Sequence, residues 1–371
     1  MSPAARHILI CFHDFSRGGT ERIAIGLARH WVKRGRKVTI LCGTSEGGLR
    51  DTVDPRVQVI ELDPPVRRSL TSRIHLGRAM AARIPDIAPD VVFLPGNFHL
   101  PLVIPFGKMP NRPAVVVKIS NPTVPTGLLA LPVRMLLRRY RHDVDAVCAM
   151  NSGLERDLRA MLPGLPVSTL HDPVYLHHDS DDAPLPANDG RLHILWAGRF
   201  EPQKDAPLAL RTIAALNERV PAHLTMLGDG ALHERIVSEI GRQRLGDLVS
   251  APGYVAGIDG WLRRSDALLV SSRFEGGPAV AVEALAHGVP VVSTDCSHFL
   301  RDIITCPEAG AIVPSRDPAA LAGALAEVCA RGRPEPDVLQ PLVASLDPAA
   351  CADAYLDCFD MTVAGRRAAF L

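Results

Sequence analysis

The architecture follows most clearly from the stretch Leu192-His-Ile-Leu-Trp-Ala197-Gly-Arg-Phe-Glu-Pro-Gln-Lys204-Asp205, which reads as a strand, a loop and the start of a helix. The first six residues are mostly apolar, as expected for a strand covered on both faces. The loop carries two cations, Arg199 and Lys204, and we expect both to face solvent. Such a junction exposes free backbone amides and the positive end of the helix dipole, so it favours a phosphate ligand.

Short apolar runs alternate with helical stretches in both directions from this segment, which predicts a parallel α/β architecture. The strands predicted in the first half are His7–Phe12, Val38–Cys42, Val57–Leu62, Val91–Leu94, Ala114–Lys118, Ala146–Met150 and Val167–Leu170. Those predicted in the second half are Leu192–Ala197, His223–Leu227, Leu248–Ser250, Ala267–Ser271, Val289–Ser293 and Ala311–Val313. We therefore expect two tandem Rossmann-like, doubly wound domains facing a central cleft.

A polar, acidic and Pro-rich segment, Tyr175–Gly190, separates the two series of strands. Its composition is typical of an interdomain linker. The predicted organisation is an N-terminal domain over 1–174, a linker over 175–190, a C-terminal domain over 191–345 and a helical segment over 346–371. A second Pro-rich break is predicted at Pro334–Pro341, and we expect the final helix to cross back to the N-terminal domain.

Composition limits the classes of function. The chain has 371 residues, 47% of them hydrophobic, and a formal charge of +1, which gives no reason to expect a nucleic-acid partner. None of the eight cysteines is spaced as Cys-x-x-Cys, so we expect buried thiols in a reducing compartment. No apolar run approaches the ~20 residues that span a bilayer. We expect a cytoplasmic protein, which leaves peripheral contact with a membrane open.

A second motif, Glu275-Gly276-Gly277-Pro278 followed by a helix from about Ala279 to His287, carries two carboxylates. Glu283 would lie in that apolar helix, where a carboxylate needs a partner or a ligand. A structural Glu held by an amide or an Arg is the alternative. Near the N-terminus, Gly18 and Gly19 follow the first strand, where glycines allow a ligand to approach the backbone, although a plain tight turn is also possible.

Together these segments resemble the family-4 (group 1) retaining glycosyltransferases of GT-B fold. The resemblance covers essentially the whole chain and is strongest from Ile194 to Pro314. Its motifs are Gly18–Arg22, the Arg199–Lys204 loop, Met-Leu-Gly228-Asp-Gly230, Gly253-Tyr-Val255, Ser265–Pro278, Glu283–Asp295 and Gly310–Pro314.

The resemblance implies a role for each matching residue. Arg199 and Lys204 would grip the donor diphosphate, Glu275 would meet the donor sugar, and Glu283 would bind the ribose. The remaining substrate-binding positions it implies are Gly18, Gly19, Gly228, Val255, Gly276, Gly277 and Pro278. Family members retain anomeric configuration and need no metal and no cofactor beyond the nucleotide-sugar donor, usually linked to uridine or guanosine diphosphate.

Two departures leave the identity of the sugar open. Gly277 stands where the family usually has a large apolar residue, and Asp295–Asp302 replaces a loop that often bears Gly and Pro. In the first domain the family often places a His or a cation against the sugar or phosphate. His99 is our first candidate for that catalytic position and Lys118 the second, with a structural role as the alternative for His99.

Three further segments carry polar or charged motifs. Asp143-Val-Asp145 precedes its strand and is expected to be a polar turn rather than a metal site, and the run His177-His178-Asp179 has too few ligands for zinc. In Leu128–His142, apolar residues (Val133, Leu136, Leu137, Tyr140) and arginines (Arg134, Arg138, Arg141) fall on different helical faces. Such a helix can bind an anionic membrane, or pack its apolar stripe on its own sheet.

The sequence therefore predicts a retaining, metal-independent glycosyltransferase that acts on a glycan or a lipid-linked glycan in the synthesis of cell-surface polysaccharide, such as lipopolysaccharide or exopolysaccharide. One alternative is a nucleotide-sugar epimerase, against which the pairs Arg199/Lys204 and Glu275/Glu283 argue. The other is a non-catalytic nucleotide- or glycan-binding protein, which the altered segment Asp295–Asp302 keeps open.

Overall fold

A computed structural model of the chain describes residues 4–16, 18–69, 72–120, 139, 141–175, 190–255 and 257–368. They form two compact units, the first comprising Met1–Pro173 with Asp347–Leu371 and the second Val174–Leu346. The predicted linker falls largely on residues 176–189, outside the described part. The C-terminal residues, predicted as a segment of their own, group with the first unit.

The first unit is built on a parallel sheet in the order β3-β2-β1-β4-β5-β6-β7. All six residues of β1 are buried, so helices cover both faces of the sheet. The strands are β1 (His7–Phe12), β2 (Lys37–Cys42), β3 (Gln58–Glu61), β4 (Val91–Leu94), β5 (Ala114–Ile119), β6 (Ala146–Ala149) and β7 (Val167–Thr169). The helices are α1 (Gly19–Lys33), α2 (Ser72–Ile87), α3 (Val103–Gly107) and α4 (Ser152–Met161), with 3₁₀ turns at Arg50–Thr52 and Asn97–Leu102.

The second unit is a parallel sheet in the order β10-β9-β8-β11-β12-β13. Its strands are β8 (Leu192–Ala197), β9 (Ala222–Leu227), β10 (Val249–Gly253), β11 (Ala267–Val270), β12 (Val291–Thr294) and β13 (Gly310–Val313). Its helices are α5 (Ala206–Asn217), α6 (His233–Arg242), α7 (Asp259–Arg263), α8 (Ala279–Ala286), α9 (His298–Ile303), α10 (Pro318–Ala330) and α11 (Pro336–Val343). Short 3₁₀ turns lie at Pro307–Ala309 and Ala344–Leu346. Every predicted strand is present, with ends shifted by at most three residues.

The predicted break at Pro334–Pro341 is wrong, because most of it forms helix α11. Pro336 occupies the first helical turn, where its missing N–H costs nothing. Pro341 lies inside the helix, but Leu339 and Val343 bury their side chains against the core that includes α8. Tertiary packing of this apolar face outweighs the poor helix propensity of the prolines.

The last helix, α12 (Pro348–Ala368), packs on the first unit. The indole Nε1 of Trp31 donates to the carbonyl of Ala352 at 3.0 Å, and the Trp31 ring lies 5.1 Å from that of Phe359. The ring of Phe93 in β4 lies 5.5 Å from that of Tyr355. An aromatic cluster thus fastens α12 to α1 and to the centre of the sheet, completing one of its two apolar layers.

Candidate functional site

The predicted donor residues lie at the carboxyl ends of β8 and β11. These strands are hydrogen-bonded neighbours, although β9 and β10 come between them in the chain. The chain winds in opposite directions on either side of this pair, and parallel sheets bind ligands at the carboxyl edge of such a switch point. The loop after β8 carries Arg199 and Lys204, and the loop after β11 carries Glu275. The topology therefore brings two distant motifs to one edge.

The side chains of Lys204 and Glu275 are in contact: Lys204 Nζ lies 2.6 Å from Glu275 Oε1, and the side chains are 18% and 8% exposed. The expectation that Lys204 faces solvent is therefore wrong, because the neighbouring loop covers it. Two more groups hold the same carboxylate. The hydroxyl of Ser272 donates to Oε1 at 2.6 Å, and Gln203 Nε2 reaches Oε2 at 3.4 Å.

Arg199 differs from Lys204, because its side chain is exposed and, among the described residues, makes no hydrogen bond. The backbone of its loop rests on the loop after β9. Gly228 has a φ of +131°, and a Cβ there would lie 2.0 Å from the carbonyl oxygen of Gly198. Only glycine fits this approach. Gly228 thus supports the Arg199 loop from below, which is a structural reason for the glycine at that position.

Glu283 lies in α8, and among the described residues no hydrogen bond to its carboxylate is present. Burial raises the pKa of Glu283 to about 7, and the nearby carboxylate of Asp259 adds to the rise. A carboxyl group in this environment gains from a ligand hydroxyl. The described part of the chain therefore offers Glu283 neither the Arg nor the amide partner that a structural role would require.

The unusual segment 295–302 supports the Glu275 loop. The backbone N–H of Glu275 donates to the carbonyl of Cys296 at 2.8 Å, and the Ser297 hydroxyl donates to the carbonyl of Gly276 at 3.0 Å. Ser297 also caps α9 by accepting from the N–H of Phe299. The segment is thus a turn into a short helix that fixes the loop holding Glu275, Gly276, Gly277 and Pro278.

Val255, the last of the implied donor positions in this unit, lies two residues beyond β10. It is half-buried and packs against the apolar cluster beneath α8. This places Val255 at the carboxyl end of its strand, on the same edge of the sheet as Lys204 and Glu275.

The first unit has its own switch point, between the paired strands β1 and β4. Gly18 and Gly19 follow β1. Gly18 has extended backbone, and a Cβ there would lie 2.2 Å from Oε2 of Glu21. A Cβ on Gly19 would meet no atom of the described residues within 4 Å. Gly18 therefore makes room for a carboxylate of its own helix, while the space beside Gly19 is open to a ligand.

His99 follows β4 at the same edge, in the 3₁₀ turn Asn97–Leu102. Its ring is 2% exposed, and within the described part of the chain neither ring nitrogen has a hydrogen-bond partner. Burial lowers the pKa of His99 to about 3, and the cation of Arg68 lowers it further. The imidazole is consequently neutral, so it can exchange hydrogen bonds with a sugar hydroxyl but brings no positive charge to a phosphate.

Lys118, the second candidate, has a different setting. Its side chain in β5 is 2% exposed and its ammonium pairs with the carboxylate of Asp172. Burial lowers the pKa of Lys118 to about 7, while the Asp172 carboxylate favours the charged form. A buried, paired lysine has a structural role, and the geometry favours His99 over Lys118 for contact with a substrate.

The two carboxylates of the Asp143-Val-Asp145 motif are held by ion pairs and hydrogen bonds. Asp145 accepts from Arg112, from Arg366 and from the N–H of Val115, and the carboxylate of Asp143 pairs with Arg139. Both carboxylates of the predicted polar turn thus have structural partners. Among the described residues, no group of three His, Cys, Asp or Glu side chains is placed to hold a metal ion.

Two predictions fall outside the described residues. His177, His178 and Asp179 lie there, and so does the amphipathic segment apart from Arg139, Arg141 and His142. Membrane contact through the arginine face (Arg134, Arg138, Arg141) stays a prediction. Within the described part of the chain, no helix is both long and apolar enough to cross a bilayer.

Comparison with known proteins decides the family. Residues 191–331 match the family described as "Glycosyl transferases group 1", and residues 18–173 match the "Glycosyl transferase 4-like domain". The chain belongs to the group 1 glycosyltransferases. These matches confirm the resemblance seen in the motifs. One of them begins at Gly18, in the first motif, and the other begins beside β8 and covers the motifs of the second unit.

Individual relatives match this group 1 chain over part of their length. The lipopolysaccharide 1,6-galactosyltransferase of Salmonella typhimurium is 30% identical over 169 residues, covering 43% of this chain and 45% of that protein. The uncharacterized glycosyltransferase MJ1059 of Methanocaldococcus jannaschii is 35% identical over 112 residues, or 30% of this chain and 27% of that protein. The alignments thus span less than half of either relative.

Solved structures show the fold over nearly the whole chain. The apo lipopolysaccharide outer core galactosyltransferase WaaB covers 94% of this chain and 98% of its own, with a TM-score of 0.73 at 16% identity. A glycosyltransferase from Rickettsia africae covers 97% and 99%, with a TM-score of 0.78 at 14% identity. Anabaena HepE, solved with UDP and glucose, covers 98% and 100%, with a TM-score of 0.66 at 16% identity. The predicted GT-B fold is confirmed.

Proposed function

We propose that the protein is a retaining, metal-independent glycosyltransferase. It moves a sugar from a nucleoside-diphosphate sugar to a glycan or lipid-linked glycan in the synthesis of cell-surface polysaccharide. The observation that carries this proposal is the contact between Lys204 and Glu275 at the carboxyl ends of β8 and β11. A cation and a carboxylate side by side suit the two unlike parts of such a donor, its diphosphate and its sugar hydroxyls.

The chemistry of donor cleavage fits this arrangement. When the bond between the sugar and the diphosphate breaks, negative charge grows on the leaving phosphate oxygen. Arg199 offers a planar fork of N–H donors and Lys204 a point charge, and the start of α5 adds the positive end of a helix dipole. Such preorganised groups stabilise developing charge, the task a divalent metal performs elsewhere.

In this proposal, the sugar and the ribose of the donor are bound by three other residues, Glu275, Glu283 and His99. The carboxylate of Glu275 would accept hydrogen bonds from sugar hydroxyls, and that of Glu283 from the ribose. His99, at the switch point of the first unit, would contact the sugar as a neutral imidazole. The relatives named as lipopolysaccharide galactosyltransferases and the HepE structure with UDP support a hexose donor carried on a nucleoside diphosphate.

A thermal-shift screen of uridine- and guanosine-diphosphate sugars, followed by an assay for release of the nucleoside diphosphate, tests the proposal. A ligand that binds only the folded protein at 100 times its Kd adds about 2.7 kcal/mol of stability. NMR of the product should show the anomeric configuration of the donor. Conversion of the sugar without release of nucleotide would favour the epimerase, and binding without either reaction would favour the non-catalytic protein.

Because a lipid-linked acceptor is embedded in a membrane, we also propose that the protein binds the cytoplasmic face of the membrane. Each arginine near an anionic lipid surface contributes on the order of 1 kcal/mol of binding at low salt. The wild type should therefore pellet with anionic vesicles, and a triple Arg134/Arg138/Arg141→Gln variant should pellet much less while still cleaving donor. Equal pelleting of both proteins would favour a soluble acceptor.

A further inference from the structure

A third loop, after β13, reaches the two loops that carry Lys204 and Glu275. This loop carries Arg316, whose Nη1 donates to the carbonyl of Ser272 at 2.7 Å. From Nη2 it reaches the carbonyl of Ser271 at 3.1 Å and Oδ2 of Asp205 at 2.5 Å. One side chain thus joins the end of β11 to the residue that follows Lys204.

Asp205 is an unusual residue to find at this point. It has a left-handed backbone conformation, with φ of 47° and ψ of 53°, and it is 5% exposed. A residue with a side chain is strained in this conformation, which persists only where its surroundings hold it. Its carboxylate does not cap α5 and is directed instead to Arg316 and Arg273. The backbone turn that aims Lys204 therefore depends on this buried carboxylate.

Charge gives Arg316 a second task. An uncompensated Asp205 carboxylate beside Lys204 would repel a diphosphate at the start of α5 and would itself be costly to bury. Arg316 neutralises it and at the same time fixes the backbone of Ser271 and Ser272. The Ser272 hydroxyl then donates to Glu275.

We propose that Arg316 is a positioning residue of the donor site. By holding Asp205 on one side and Ser271 and Ser272 on the other, it sets the distance and orientation between Lys204 and Glu275. This inference rests on the proposed function, because it assigns Arg316 to the same site. It adds a residue that binds no part of the donor and acts through the two loops.

Arg273 provides a matched control. It also pairs with Asp205, at 3.0 Å, but its side chain is 59% exposed, whereas that of Arg316 is 37% exposed. Arg273 belongs to the loop that carries Glu275, so its pair with Asp205 also joins the two loops, but its backbone N–H donates to the carbonyl of Gln203 at 2.7 Å and keeps that join when the side chain is changed. Arg273→Gln therefore removes one charge from the same carboxylate without cutting the bridge.

The experiment compares Arg316→Gln, Arg316→Lys and Arg273→Gln. Small displacements of positioned groups can lower turnover by about 100-fold, so we expect a loss of this size in kcat for Arg316→Gln with a smaller change in donor KM. Arg316→Lys keeps the charge but loses the fork, and should recover part of the activity. Arg273→Gln should stay within about threefold of wild type, as surface substitutions generally do.

A double-mutant cycle separates positioning from general stability. If Arg316 acts through Lys204, Arg316→Gln should have almost no further effect on kcat in a Lys204→Ala background, whereas independent effects would multiply. Multiplying effects, or wild-type kcat in Arg316→Gln, would overturn the proposal. If Arg316→Gln does not fold, the same cycle is run with Arg316→Lys, and the same two outcomes overturn it.

Calorimetric titration with uridine and guanosine diphosphate keeps this test distinct from that of the proposed function. A wild-type protein that binds neither nucleotide and cleaves no donor overturns the proposed function and this inference with it. A wild-type protein that is active, with an Arg316→Gln variant equal to it in kcat, overturns the inference alone.

Discussion

The ammonium of Lys204 lies 2.6 Å from the carboxylate of Glu275, so the predicted phosphate-binding residue and the predicted sugar-binding residue form one ion pair. The two roles are therefore coupled, since removal of either side chain leaves the other without the opposite charge that it pairs with. Residues that act as a unit in catalysis have effects that do not add. The pair is best tested as a pair.

Removal of the phosphate grip should reduce turnover while the protein stays folded. Lys204→Ala and Arg199→Ala each remove a cation from the leaving diphosphate, and loss of one such group costs on the order of 100- to 1,000-fold in kcat. Arg211→Ala, an exposed position further along α5, is the control and should leave kcat unchanged. Steady-state donor cleavage measures the effect. Turnover of Lys204→Ala and Arg199→Ala like that of the control would argue against the site.

The pKa of Glu283 makes the stability of the second unit depend on pH. Burial raises this pKa from its ordinary 4.5 to about 7, so between these values the folded protein holds a proton that the unfolded chain has lost. The free energy of unfolding should therefore fall as pH rises through this window, by on the order of 3 kcal/mol, and stay low above it.

Glu283→Gln should lack this fall. Urea unfolding at pH 5 and pH 8, in a Trp31→Phe background that leaves Trp196 and Trp261 as reporters of the second unit, measures the difference. The same slope in both proteins would show that Glu283 titrates normally.

Chelation of divalent metals should leave transfer intact, because Arg199, Lys204 and the positive end of the α5 dipole supply the positive charge that the leaving group needs. Excess chelator and then added manganese or magnesium, each with donor cleavage as the readout, make the test. Activity that disappears with chelator and returns with metal would contradict the proposed mechanism.

Loss of the aromatic anchor of the C-terminal helix should destabilise the first unit. Phe359 is fully buried against Trp31 and Phe93, and a Phe→Ala change in such a core costs about 3–5 kcal/mol. Met361→Ala, on the same helix but 67% exposed, is the control and should change stability by less than about 0.5 kcal/mol. Urea unfolding followed by fluorescence, in a background in which Trp196 and Trp261 are changed to Phe so that Trp31 is the reporter, measures the stability of the first unit. Equal midpoints for the two variants would refute the anchoring role of Phe359.

Local patterns were enough to predict the strands and the two doubly wound units. A fully buried parallel strand such as β1 is a continuous apolar run, and turn residues mark its ends. The helix that begins at Ala279 was predicted because Pro278 suits the start of a helix. By the same reasoning α11 was missed, since its formation depends on the burial of Leu339 and Val343 rather than on local propensity.

The candidate site was predictable as a list of residues but not as a set of contacts. Lys204 and Glu275 were predicted from the residues of each loop. Their ion pair requires β8 and β11 to be neighbours in the sheet, and no local sequence pattern predicts that pairing. Arg316 was missed for the same reason. The one local hint is the acidic residue Asp205 directly after the phosphate-binding lysine, since a carboxylate at that position requires a cation from elsewhere in the fold.

The return of α12 to the first unit has a consequence for biosynthesis. The second unit is continuous in the chain, whereas the first lacks α12 until the ribosome has passed the second unit. Until then the apolar surfaces of Trp31 and Phe93 that receive Tyr355 and Phe359 have no cover, and nascent chains with such exposed surface aggregate or are bound by chaperones. A messenger truncated after the second unit should consequently yield an insoluble product, whereas we expect residues 174–346, which are continuous in the chain, to be soluble when expressed alone.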